Sequence, residues 1–450
     1  LHRWSIEHSP EFWQAQAEFC DVRFDKPASQ ILTRPDNIMD AGWFEGSELN
    51  YAAHLLRHEG DRTALIFCGE NGARRELSCD ELRTAVAAVA AGLREAGVVR
   101  GDRVGGFLPN CPEAIIAMLA ATSIGATWSS CSPDFGVNGV VDRFGQIEPK
   151  VLFAADGYYY NGKRIDSRPV ARGIAAAIPS IETVVIAPFL EDGDGPGEGS
   201  VAWDDFCVAG QALTFEPVPF DHPLYIMYSS GTTGVPKCIV HGHGGTLLQH
   251  LKEHVLHTDI GAGDRLFYFT TCGWMMWNWL VSGLASGATL VLFDGSPFHN
   301  DGRVLWQMAE AEKVTVFGTS AKYLSALEKA GEDPSVRAVV LRIDSPGGTV
   351  VGSEALMDAL ARVGEEKPVV AVMDGVAASG AYLDGEKENK NTIVIKNLGS
   401  GSLNITNIAS NKAWLEFSPY TVQSILPSKQ AGLTITVADW NLIGGVKDTG

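Results

Sequence analysis

Between Leu77 and Trp128 the chain alternates helix signals with strand signals over short connections, and nothing else in the sequence restricts the fold as tightly. Ser78 stands where a helix N-cap is needed and Glu81 follows three residues later, the pair that makes a capping box, so a helix is expected from Cys79 to Ala96. Gly97 ends it, and Arg103-Val-Gly-Gly-Phe-Leu108 reads as a short strand. Pro112 opens a second helix, and Gly125-Ala-Thr-Trp128 enters the next strand. This β–α–β–α rhythm calls for a mostly parallel sheet covered by helices, an α/β fold that we expect over about residues 1–383.

Charge bounds the function classes. With 35 Lys and Arg against 54 Asp and Glu, the net charge of −19 argues against binding a phosphate backbone, so no nucleic-acid partner is expected. That charge is not spread evenly, because residues 386–450 hold six Lys against five acids. All eight Cys lie before residue 273, and the last Arg is Arg362. The stretch also has seven Asn and seven Ile against four Ala, unlike the Ala-, Gly- and Arg-rich front. The cysteines lack paired spacing and the first residues carry charges instead of an apolar leader, which suits reduced thiols and a cytoplasmic location. Residues 266–293 are uncharged, yet Gly, Ser, Asn and Thr interrupt them, so a buried helix, turn and strand is expected and no membrane span.

The densest chemical signal follows the apolar strand Leu224-Tyr-Ile-Met-Tyr228: Ser229-Ser230-Gly231-Thr232-Thr233-Gly234-Val235-Pro236-Lys237. Glycines let backbone N–H groups close on phosphate oxygens, hydroxyls add donors, and Lys237 adds a positive charge. The spacing is not that of a Walker A loop, and the plainer reading is a polar turn between two strands. Further on, His250-Leu-Lys-Glu253-His254 spells the inverted zinc-protease motif. No third ligand stands out downstream, so we read it as a partly exposed helix face and expect no metal site.

The string at 229–237 resembles the phosphate-binding signature of the acyl-adenylate-forming enzymes, the acyl-CoA synthetases and their relatives. The resemblance covers about residues 1–332. It narrows to the acetoacetyl-CoA synthetase branch through WFEGSELNY (43–51), Gly101-Asp-Arg-Val104, Pro109-Asn-Cys-Pro-Glu-Ala114, Gly273-Trp-Met-Met-Trp-Asn-Trp279 and Thr315-Val-Phe-Gly-Thr-Ser-Ala-Lys-Tyr323. It implies ATP, Mg²⁺ and CoA as cofactors and an acetoacetate-like carboxylate as partner. By the family pattern Ser229, Ser230, Gly231, Thr232, Thr233, Gly234 and Lys237 would hold the ATP phosphates, with Trp274 and Trp277 beside the acyl pocket. The family's later motifs, a Thr-Glu pair, a ribose-binding motif, a hinge and a C-terminal lysine, are not found after Ala330.

From about Ser335 the text changes. A strand (336–343), Asp344-Ser-Pro-Gly347-Gly348, an amphipathic helix (353–363), a strand (368–373) and Ala378-Ser379-Gly380 make one βαβ unit over 335–383. It resembles the signal peptide peptidase family, in which Gly347 and Gly348 would form an oxyanion hole and Ser379 would be the nucleophile. The general-base lysine of that family is missing, which favours an inert turn at Ser379. Residues 387–450 alternate in short strands and resemble part of an immunoglobulin-like β-sandwich, so an all-β segment is expected there. The leading reading is a composite chain whose main part resembles an acid–CoA ligase without its later motifs. The alternatives are a genuine ligase with an unfamiliar C-terminus, a nucleotide-binding module without turnover, and a serine peptidase.

Overall fold

The capping box forms as expected. Glu81 N–H donates to Ser78 Oγ (3.1 Å) and Ser78 N–H donates to the Glu81 carboxylate (2.7 Å), starting the helix Cys79–Glu95. Its buried side chains, Leu82, Val86, Val89, Ala90 and Leu93, recur at helical spacing, and Gly97 turns the chain out at φ +74°. The second expected helix, Pro112–Ser123, is buried on every side.

The computed structural model describes residues 1–35, 40–191, 193, 195–229, 234–320 and 323, and beyond them the backbone of seven strands between 339 and 437. The chain divides into two compact units, Leu1–Gly318 and Thr319–Gly450.

In the first unit a seven-stranded sheet runs in the order Val201–Ala202, Thr183–Ala187, Val151–Ala155, Arg103–Phe107, Thr127–Cys131, Pro223–Ser229, Lys237–Gly242. All neighbours are parallel except the last pair, an antiparallel hairpin. Helices cover both faces, so side chains of one strand alternate between two cores. A methyl added at Gly105 would meet Phe144 on one face, and one added at Gly106 would meet the Trp128 ring on the other. A second sheet orders Val316–Gly318, Arg265–Tyr268, Thr289–Asp294, Thr63–Gly69 and Arg74–Ser78, parallel except at its last pair. The parallel α/β expectation thus holds in this unit.

The uncharged stretch 266–293 is the end of one strand, a helix (Met275–Ser282), a short 3₁₀ turn and the fully packed strand Thr289–Asp294. Among the described residues, no helix is long and apolar enough to cross a membrane.

In the second unit, strands Val339–Ile343 and Val369–Met373 pair in parallel. Gln430–Val437 lies between Lys390–Lys396 and Leu415–Ser418 in an antiparallel sheet, and Leu403–Ile405 pairs with Val422–Ile425. The expected helix at 353–363 and the candidates Gly347, Gly348 and Ser379 lie outside the described residues.

Candidate active site

The strand Arg103–Phe107 leads to Thr127–Cys131 on one side, and the chain then returns to Val151–Ala155 on the other. The strand order reverses there, and in open parallel sheets ligands bind outside the carboxyl ends of the strands at such a reversal. The described ends of the 229–237 string lie on the carboxyl side of the sheet, where Pro223–Ser229 pairs with Lys237–Gly242 and Ser229 stands opposite Lys237. Ser230, Gly231, Thr232 and Thr233 lie outside the described residues. Gly234 adopts φ +100°, a backbone that glycine alone takes without strain, and a side chain there would point into open space. Lys237 is exposed on the hairpin's shoulder.

Helix Val137–Ile147 braces the hairpin from below. Gln146 Nε2 donates to Pro236 O (2.8 Å), and the Arg143 guanidinium lies 4.5 Å from the Phe135 ring and 5.9 Å from the Tyr228 ring. Ser129 Oγ donates to Ile226 O (2.8 Å) and stands 3.0 Å from the Tyr228 hydroxyl. Burial pushes the Tyr228 hydroxyl above its ordinary pKa.

The two tryptophans expected at the acyl pocket part company. Trp274 is 65% exposed, whereas Trp277 is fully buried and donates its indole N–H to Asn110 Oδ1 (3.0 Å). Asn110 joins the two sheets at their carboxyl ends: its N–H donates to Asp294 Oδ1 (2.9 Å) and its Nδ2 to Phe293 O (3.3 Å). Burial pushes the Asp294 carboxyl up to about 7; the Asn110 N–H opposes that shift, and the Glu70 and Asp134 charges add to it. Beside this junction, under Gly273, a small cavity is walled in part by Trp128, Ser130, Met227, Cys272 and Asn278. Ser130 Oγ donates to Cys272 O (2.6 Å), tying the turn before Trp274 to the sheet.

Sequence reasoning missed Asn110, Gln146 and Ser130. Only Asn110 had a usable signal, as a polar residue just past the carboxyl end of a parallel strand. The helix-face reading of the histidines is corrected in part: His250 and His254 do lie on one stretch, but both are buried, with ring centroids 6.3 Å apart. Ser282 Oγ and His250 Nδ1 are hydrogen-bonded (2.7 Å), and His254 packs on Trp279 at 4.3 Å, so the helix Met275–Ser282 covers both rings. Among the described residues no group of three or more His, Cys, Asp or Glu side chains could hold a metal ion.

The profile of the AMP-binding enzyme family matches residues 52–373, and that of the acetyl-coenzyme A synthetase N-terminus matches residues 1–55. The first of these runs past residue 332 and across most of the stretch with the peptidase-like resemblance. An acetoacetyl-coenzyme A synthetase of Rhizobium meliloti is 52% identical over 74% of this chain and 52% of its own length. The Mus musculus acetoacetyl-CoA synthetase is 46% identical over the same shares, and a malonamoyl-CoA synthetase of Penicillium aethiopicum is 41% identical over 73% of this chain and 49% of its own. The solved acetoacetyl-CoA synthetase of Streptomyces lividans superposes with a TM-score of 0.72 at 43% identity, covering 83% of this chain and 59% of that one. The chain spans about half the length of the curated relatives it matches. These relatives lend no support to the peptidase-like and immunoglobulin-like resemblances of residues 335–383 and 387–450. Through residues 52–373, most of its length, the chain belongs to the AMP-binding enzyme family.

Proposed function

We propose that residues 1–332 form the ATP- and acyl-binding front of an acid–CoA ligase for a short 3-oxo acid such as acetoacetate. In that reaction a carboxylate oxygen attacks the α-phosphorus of ATP, a new P–O bond forms and pyrophosphate leaves; the CoA thiol then displaces AMP from the acyl carbon. The observation that carries the reading is the hairpin of Pro223–Ser229 and Lys237–Gly242, braced by Gln146 on Pro236. Its described ends, Ser229 and Gly234–Lys237, lie on the carboxyl side of the sheet, one strand beyond the pair at which the order reverses. Its open glycine and exposed lysine suit an approaching polyphosphate. Electrostatic stabilisation by Lys237 and by N–H and hydroxyl donors of Ser229–Gly234 is the contribution of this chain to the first step. Mg²⁺ would arrive with the nucleotide; since the described residues offer no three-ligand group for it, no step is routed through the metal.

The substrate class draws on the names of the relatives, acetoacetyl and malonamoyl, whose acyl groups both carry an oxo group at C3. Residues from about 333 onward are, in this reading, of separate origin: a peptidase-like βαβ unit and part of an immunoglobulin-like sandwich. The absence of Arg after Arg362 supports the second of these, and the separate compact unit from Thr319 supports both. Such a chain is cytoplasmic and binds ATP but, without the family's Thr-Glu and lysine motifs after Ala330, forms neither the adenylate nor the thioester. Acetoacetate-dependent ATP–pyrophosphate exchange is therefore expected at background; exchange far above background would overturn the composite part of the reading and leave the ligase part standing.

A further inference from the structure

The Gln146 carboxamide grips the hairpin at two points, one on each side of Lys237. Its Nε2 carries two hydrogens: one goes to Asp142 O on its own helix (2.6 Å) and the other to Pro236 O (2.8 Å). Its Oε1 accepts from the Cys238 thiol (3.6 Å). Turned over, the amide would set its oxygen against two carbonyls, so only one orientation serves. Arg143, three residues earlier on the same helix face, lies against Tyr228, the residue paired with Cys238 on the other strand of the hairpin. Among the described residues, no other side chain from outside the hairpin is hydrogen-bonded to residues 234–238.

Core packing does not account for these contacts. Gln146, Lys237 and Cys238 are all exposed, so the contacts bury no core. What they fix is a direction. Pro236 O belongs to the planar peptide unit that ends on Lys237 N, so a carbonyl held on the helix sets the plane from which the lysine side chain leaves the strand. Lys237 has a flexible four-carbon stem, and a stem rooted on a swinging backbone loses more freedom with each ionic contact it makes. Resting on the ligase reading above, we infer that Gln146 is a positioning residue for the nucleotide: it holds the root of Lys237 at the angle from which the ammonium meets the ATP phosphates, and it acts on them only through Lys237.

A double-mutant cycle, read by titration calorimetry of MgATP into the full chain, tests this. Gln146→Ala is expected to weaken MgATP about threefold to tenfold, the range for the loss of one or two hydrogen bonds. Gln146→Met keeps the volume without the contacts and is expected to lose as much. In the Lys237→Ala background Gln146→Ala is expected to change the affinity by less than about twofold, whereas a general loosening of the hairpin would weaken binding equally with and without the lysine. MgATP affinity unchanged in Gln146→Ala, restored in Gln146→Met, or lowered by the same factor in both backgrounds overturns the inference and leaves the ligase reading intact. Absence of MgATP binding by the unaltered chain overturns the ligase reading, and this inference with it.

Discussion

Lowering the pH from 7 to 5 is expected to remove about 3 kcal/mol of stability from residues 1–318, and about 6 kcal/mol by pH 4. The four buried groups with the largest shifts give this figure, and His54, His58 and His241, also held below the ordinary imidazole value by burial, act in the same direction as the buried histidines among them. His243, His250 and His254 are each held down to about 3, chiefly by burial, with neighbouring His and Arg charges adding to it. Once unfolded, these imidazoles take up protons below about 6.5, so the unfolded chain binds more protons than the native one, and stability falls as the pH drops from there toward 3. Asp294 works the other way. Its native value of about 7 lies above the unfolded one, so it contributes stability as the pH falls through 7. Three histidines outweigh one carboxyl. Neutral His243 is also needed in place, because Tyr51 N–H donates to its Nδ1 (3.2 Å), and a proton there breaks the bond. Urea unfolding across pH 4.5–7 checks the account. His254→Phe is expected to lower the slope by about one proton near pH 5, since this ring is stacked on Trp279 and no hydrogen bond to either ring nitrogen is found. An unchanged slope would mean that His254 is not neutral and buried as described.

The second large effect is at Asn110. Replacing it by Ala is expected to cost about 2–4 kcal/mol, because the Trp277 indole N–H and the Phe293 carbonyl lose their partner inside the core. Asn110→Asp should be worse and should depend on pH. It sets a second carboxyl beside Asp294, whose N–H donor is the backbone of residue 110 itself, and two such acids cannot both ionise there. The loss for Asn110→Asp should therefore be greater at pH 8 than at pH 6, whereas that for Asn110→Ala should change little between them. Equal losses for the two variants at both pH values would show that residue 110 acts by packing volume alone.

The sequence made local order and sheet class readable, since both are written in neighbouring residues. Ser78 with Glu81 started a helix, Gly97 ended it, and the strands at 103, 127 and 223 followed from apolar runs between breakers. The hairpin string was visible because glycines and hydroxyls were concentrated in nine consecutive positions. Asn110 offered one faint signal, its place just past a strand's carboxyl end, but its three partners come from residues more than 160 positions away and Pro-Asn-Cys-Pro looks like any turn. Trp274 and Trp277 could not be told apart by residue type; Trp274 is the exposed residue just before the helix Met275–Ser282, whereas Trp277 within it enters the core. The histidines were misread as a partly exposed face because nothing local shows that Ser282 and Trp279, about 30 positions on, cover the two rings. Trp128 was legible only as a strand residue, for nothing local announces that an indole N–H will be left without an acceptor.

The central claim is that the hairpin 229–237 holds the phosphates of ATP, and titration calorimetry of MgATP into the full chain tests it directly. One site is expected in the unaltered protein. In Lys237→Ala the affinity is expected to fall by about tenfold to a hundredfold, because Lys237 is exposed beside open space and stands opposite Ser229 at the hairpin's base. Absence of MgATP binding by the unaltered chain, or equal affinity in Lys237→Ala, would contradict the account.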